Sequence, residues 1–162
     1  WNPSQLNTDQ WVEAMTNLGA KYAVYVAKHG CGFCTWPSEV TVPSSGDVYP
    51  YSVKYANDTT DVVQSFVDSC RAKGIKPGFY YSLGSNAYAK NVLKLSGDDF
   101  NNLVLNQTHE LWSKYGSLFE IWSVGWAVVI WLFHLLSSLM STCSSNILLL
   151  LLLLFLRIVL KV

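Results

Sequence analysis

The sequence predicts an α/β chain, a run of parallel strands alternating with helices, followed by a hydrophobic helical tail. Three observations predict it. Apolar residues recur at helical spacing three times before Gly116, each run is followed by a short apolar stretch rich in β-formers, and formal charge nearly vanishes after Glu120. All eleven acidic and nine of the eleven basic residues lie at or before Glu120, leaving only Arg157 and Lys161 in the last 42 residues. The 162 residues leave room for one ordinary domain. Because the front piece carries a net charge of −2, it has no basic field of the kind that draws proteins to phosphate backbones. Nucleic acid is therefore not an expected partner.

Asn7-Thr8-Asp9-Gln10 offers a cap with Gln three residues on, and Trp11, Met15 and Leu18 then recur at helical spacing until Gly19 supplies a stop. Lys21 to Ala27 is short, β-rich and not alternating, as a strand covered on both faces requires. A loop from Lys28 to Asp58 follows, far beyond the roughly 12 to 15 residues at which loops become functional or disordered. Val62, Val63, Phe66, Val67 and Cys70 then form one helical stripe ended by Gly74, and Pro77 to Leu83 reads as a second buried strand. Ser96-Gly97-Asp98-Asp99 reads as a capping-box start for a third helix bearing Phe100, Leu103, Leu111 and Tyr115, with Gly116 before a third strand from Leu118 to Trp122. Strands linked through helices run parallel with right-handed crossovers, and three of them cannot close a barrel. In a parallel sheet or barrel the chemistry sits at the C-terminal strand ends, which here are Lys28-His29-Gly30, Ser82-Leu83-Gly84 and Ser123-Val124-Gly125.

Cys31-Gly32-Phe33-Cys34 has the spacing of a redox pair, but Trp36-Pro37 and Pro43-Ser44-Ser45-Gly46 cannot continue the long helix whose N-terminus activates such a thiolate. No second Cys/His pair lies at zinc-finger spacing, so no metal site is predicted, and four cysteines are too few for a disulfide scaffold. His29 stands where an imidazole can bond a hydroxyl or serve structure. Trp36, Tyr49, Tyr51, Tyr80 and Tyr81 cluster in sequence around the first two strand ends, and rings with polar edges suit sugars and protein cores equally. The sequons at Asn57 and Asn106 fit a secreted or luminal glycoprotein. The start at Trp1, without Met or a signal peptide, reads as a cut made inside a longer protein.

Asn2-Pro3-Ser4-Gln5-Leu6-Asn7-Thr8-Asp9-Gln10-Trp11, Ala20-Lys21-Tyr22, Ala27-Lys28-His29, Gly32-Phe33-Cys34-Thr35-Trp36-Pro37-Ser38 and Glu120-Ile121-Trp122 resemble the α-L-fucosidases of glycoside hydrolase family 29, in a plant-like form. The resemblance covers about residues 1–122, in order and spacing, and makes them an incomplete catalytic barrel of the (β/α)8 or TIM-like type. It implies cleavage of terminal α-linked L-fucose from glycans with retention, no metal or organic cofactor, fucosylated glycans as the ligand class, and a location in the apoplast, outside the cell or in the secretory lumen. It also implies His29, Tyr80 (with Tyr81 as rival) and Trp36 as substrate-binding residues. The family's nucleophile is an Asp in a block like Trp-Phe-Asp-Gly, against Trp122-Ser123-Val124-Gly125 here, so Val124 stands in its place and no catalytic residue is intact. The family's His-His-Asp-Gly-Phe block stands against His29-Gly30-Cys31-Gly32-Phe33 here, where only the first His of its His-His-Asp survives, and its acid/base carboxylate lies outside this chain. Glu120, four residues before Val124, points to a fixed strand face and cannot replace a loop Asp.

Residues 123–162 form the hydrophobic tail. Ile121 to Met140 carries no formal charge and is long enough, as a helix, to cross a hydrocarbon core of about 30 Å. After a polar break, Ile147 to Leu156 is unbroken apolar sequence that reaches Leu160 only by accommodating Arg157. Three origins stay open: a membrane anchor or hairpin within 121–160, a buried helix of a larger assembly, or translation from outside the enzyme's own reading frame, the last being favoured. The expectation is an inactive relative of a fucosidase, with a membrane-tethered, catalytically dead glycan-binding fragment as the alternative.

Overall fold

The structure is a computed structural model that describes residues 1–124. Helix α1 spans Thr8–Asn17, and its Asn7 cap accepts the Gln10 amide at 3.0 Å, while Gly19 at φ +82° ends the helical path. Strand β1 is Tyr22–Lys28, α2 is Val62–Ala72, β2 is Lys76–Ser82, α3 is Gly97–Lys114 and β3 is Glu120–Val124. The strands pair in the order β1-β2-β3, all parallel. The helical connections force this arrangement, because each strand must return through a helix packed on the sheet.

Helices cover one sheet face. The stripe read from sequence on α2, Val62, Val63, Phe66, Val67 and Cys70, is fully buried, and Phe66 meets Tyr25 of β1 at 5.3 Å. From α3, Gln107 accepts the Tyr81 hydroxyl at 2.7 Å, and Tyr115 just beyond the helix packs edge-on against Phe79 at 5.8 Å. Val26, Tyr80 and Trp122 are register partners and share the opposite face. There Val26 is 45% and Trp122 56% exposed, so among the described residues this face stays open.

Three expectations change. Ser96 precedes α3 but its side chain makes no cap hydrogen bond, because the chain enters the helix through Gly97 at φ +53°. The stretch from Lys28 to Asp58 is not a structureless loop: Thr41 bridges Val48, Cys34 bridges Lys28 and Ser52, and Val53–Tyr55 forms a 3-10 turn. These pairings carry no sequence period, which is why pattern reading passes over them. A π-helical turn at Tyr88–Val92 was likewise not read from sequence. Finally, Ile121 does not open a membrane-spanning helix, since Glu120–Val124 pairs with Gly78–Ser82 as a strand. The first residues of an apolar run suit a strand as well as a helix, and pairing with β2 decides between them. Among the described residues no helix is long and apolar enough to cross a membrane, and the rest of the tail, 125–162, lies outside the described residues.

Of the two sequons, Asn57 is exposed in the loop before α2, as an acceptor needs. Asn106 is exposed but sits inside α3, and the hydroxyl of its Thr108 is buried against the Val104 and Leu105 carbonyls at 2.9 Å each. The helix rather than a loop setting weighs against Asn106 as an acceptor.

Candidate functional site

The exits of the three parallel strands lie side by side, and His29 and Tyr80 meet there. His29 is exposed and stacks on the Tyr80 ring, centroids 5.8 Å apart with planes inclined by 23°. Trp122 of β3 approaches the same ring edge-on at 5.9 Å. Three aromatic side chains from three adjacent strands thus line one open surface with one imidazole edge and one phenol. The sequence reading takes Trp122 as the end of the third strand and as part of the Glu120-Ile121-Trp122 block, and gives it no place on a binding surface. Its signal was available in its spacing, two residues before Val124 and therefore on the same strand face.

The sheet gives Tyr80 and Tyr81 different surroundings. Tyr81 is fully buried, its hydroxyl donates to Gln107, and burial pushes its phenol well above the ordinary range. Tyr80 is the half-exposed one. Trp36 is not brought to this surface: it is fully buried, and its Nε1 donates to Glu110 at 2.9 Å. A ring enclosed in the core offers no face to a sugar, so Trp36 serves packing here.

Val124 pairs with Ser82 at the last register position of β2 and β3, and Glu120 pairs with Gly78 at the opposite end of β3. Four residues of strand separate the two by roughly 13 Å. Glu120 therefore lies at the wrong end of its strand to present a carboxylate at the exits. Among the described residues no group of three or more His, Cys, Asp or Glu is gathered as a metal site. Cys34 is fully buried and free, and desolvation pushes its thiol far up, while Cys31 is free and exposed. Burial suppresses the thiolate that redox exchange requires.

The turn that carries His29 is stitched to the turn after β2. Ala87 N donates to Gly30 O at 2.8 Å and Tyr88 N to Cys31 O at 3.1 Å. Tyr49, buried beneath, donates to Gly32 O at 2.9 Å and lies 3.2 Å from Asn86 Oδ1. Lys28, the last residue of β1, is fully buried and donates through Nζ to Ser82 O at 2.6 Å and Ser85 O at 2.9 Å. Desolvation lowers its ammonium to about 8. None of these links was legible in sequence. An open cavity lined by Pro3, Asn7, Asp9, Asp58 and Thr60 among others includes none of the strand-exit residues.

Glu110, near the C-terminal end of α3, fixes the next stretch of loop. Its two oxygens accept Trp36 Nε1 at 2.9 Å, Ser38 Oγ at 2.7 Å and the Glu39 amide at 2.7 Å. Bonds to a charged acceptor contribute about 1.5–3 kcal/mol each where water is excluded and much less where it is not, and these three are part-buried or exposed. Glu110→Ala is expected to lower the unfolding free energy by about 2–4 kcal/mol, with Glu110→Gln costing less because one acceptor oxygen survives. Urea denaturation followed by tryptophan fluorescence checks this, and equal midpoints for Glu110→Ala and the unaltered chain would refute it.

The profile described as Alpha-L-fucosidase matches residues 1–131, which extends past Trp122 and across Val124. The chain is 34% identical to Alpha-L-fucosidase 1 of Arabidopsis thaliana over 131 residues, covering 77% of this chain and 23% of that protein. It superposes on the crystal structure of a putative α-L-fucosidase from Bacteroides thetaiotaomicron with a TM-score of 0.62 at 34% identity, covering 75% of this chain and 30% of that one. The α-L-fucosidase AlfC from Lactobacillus casei, in complex with α-L-fucose product, shares the fold at a TM-score of 0.60 and 23% identity, over 75% of this chain and 44% of that one. The chain thus spans about a quarter of the length of the curated plant relatives that it matches.

Proposed function

Because this chain belongs to the α-L-fucosidase family, we propose that its strand exits are built to meet a terminal α-L-fucosyl group, and that an intact protein of this sequence type hydrolyses terminal α-L-fucosyl linkages of glycans with retention. The observation that carries this reading is the stack of His29 on Tyr80 at the open exits of β1 and β2. An imidazole edge supplies hydrogen bonds to hydroxyls, and an aromatic face supplies contact for the apolar side of a sugar ring. Retention needs two carboxyl groups roughly 5 Å apart. In this chain the nucleophile's place is taken by Val124, so the chain itself is read as inactive. The setting proposed is the apoplast, the cell exterior or the secretory lumen, with Asn57 as the better placed of the two glycosylation candidates. Neither a metal nor an organic cofactor enters this chemistry.

L-Fucose titrated into the labelled chain is expected to move the ring signals of His29 and Tyr80 saturably, with D-fucose inert at the same concentrations and Tyr80→Ala abolishing the response. Absence of any difference between the two enantiomers would sink the reading. A second reading, a catalytically dead glycan binder tethered to a membrane, is favoured by one feature: residues 125–156 contain no formally charged side chain. Any span would have to begin after β3. Co-sedimentation of the chain with neutral phosphatidylcholine vesicles, lost on truncation after Val124, supports the tether, and equal recovery in the supernatant with and without vesicles removes it.

A further inference from the structure

The register of β1 against β2 runs one to one from Tyr22 opposite Lys76 to Val26 opposite Tyr80, and then breaks, placing Lys28 opposite Tyr81. Two residues of β1 advance against one of β2, which is the signature of a bulge, and bulges re-aim the side chains that follow. With regular alternation, Val26 on the open face would put Lys28 on the open face and His29 on the helix-covered one. The opposite is found. Lys28 is buried with its Nζ 4.4 Å from the centre of the buried Tyr81 ring, and His29 is exposed on Tyr80.

We propose that Lys28 is the positioning residue of the His29–Tyr80 pair: its buried ammonium ties the exit of β1 to the Ser82 and Ser85 carbonyls, holds the bulge, and so presents His29 on the open face. The proposal rests on the reading that this pair meets a fucosyl ring, and adds what orients it. A lysine stripped of water is costly unless its protons are bonded. Here two are given to backbone carbonyls at 2.6 and 2.9 Å and the charge sits over the Tyr81 ring. Both carbonyls belong to the end of β2 or the turn after it, so the bond spans the two exits that carry His29 and Tyr80. A lysine used for packing alone would have no need of two carbonyls on the neighbouring strand exit. The other ionisable groups near it are Cys31, Cys34 and Lys90.

The test reads geometry, not fucose. Stacking on Tyr80 gives the ring protons of His29 an upfield ring-current shift, identified by its disappearance in Tyr80→Leu. In the full chain, Lys28→Met is expected to abolish that shift while the buried Tyr81 signals stay dispersed, and Lys28→Arg, which keeps charge and donors, is expected to restore it. A His29 shift unchanged in Lys28→Met overturns the proposal. Should Lys28→Met not fold, the unaltered chain is titrated instead, with the lysine Nζ observed directly and Cys31→Ser as the control for thiol ionisation. Deprotonation of Lys28 near pH 8 weakens its charge-assisted bonds, so the His29 shift is expected to fall with the same midpoint as the Lys28 signal, and a flat His29 shift through that midpoint overturns the proposal. Loss of L-fucose binding with the His29 shift intact would count against the fucosyl reading alone.

Discussion

Purified chain is expected to release no 4-nitrophenol from 4-nitrophenyl α-L-fucopyranoside above the uncatalysed rate. Double displacement at an anomeric carbon needs an attacking carboxylate and a second carboxyl group to protonate the leaving oxygen. On the function proposed above, the first is due at position 124, where a valine offers no lone pair, and the second is expected outside this chain. Removing a covalent nucleophile from an otherwise complete site costs about 10⁴ to 10⁶ in rate. Rescue by Glu120 is blocked by geometry, since it lies opposite Gly78, roughly 13 Å down the strand from Val124. Val124→Asp is accordingly expected not to restore turnover on its own, because only half of the carboxyl pair would return. Turnover by the unaltered chain that is abolished by a fucose-like inhibitor would overturn this expectation.

What could be read in advance follows from which forces are local. The Asn7 cap, the buried stripe on α2 and the glycine stop at Gly19 are decided within one or two turns of chain, so spacing alone reveals them. Strand ends were displaced by one or two residues, β3 beginning at Glu120 and not Leu118, because pairing and not composition sets where a ladder begins. Which of Tyr80 and Tyr81 stays open depends on which sheet face the helices take, and Gln107, 26 positions away, claims the Tyr81 hydroxyl. The same holds for Trp36: its indole reads equally as a sugar platform or a core ring until Glu110, 74 positions on, claims its Nε1. The bulge after Val26 is the deepest gap, because it inverts the facing that alternation would assign to His29, and no side-chain pattern announces it.

Gly32→Ala is expected to destabilise the chain by about 3–5 kcal/mol and to displace His29 from Tyr80. Gly32 adopts φ +96°, and a non-glycine residue held in such a conformation costs about 1–3 kcal/mol. The added Cβ would also lie 2.0 Å from Asn86 Oδ1, 2.8 Å from its Cγ and 3.1 Å from the Tyr49 hydroxyl oxygen. Overpacking of this kind costs a further 1–3 kcal/mol or so, and here the neighbour cannot swing aside. Asn86 is buried and its Oδ1 is held by the Ala89 amide at 2.9 Å, so yielding would leave that amide without its acceptor. Displacement therefore falls on the turn from Gly30 to Cys34, whose other end is His29. Gly46→Ala separates the two costs, because Gly46 has a comparable φ of +76° with nothing within 4 Å of an added Cβ. It is expected to lose only about 1 kcal/mol. Urea unfolding of both variants decides the matter: a Gly32→Ala midpoint no lower than that of Gly46→Ala would mean that Asn86 does not pin the turn, and the rigid stitching of the two strand exits would have to be given up.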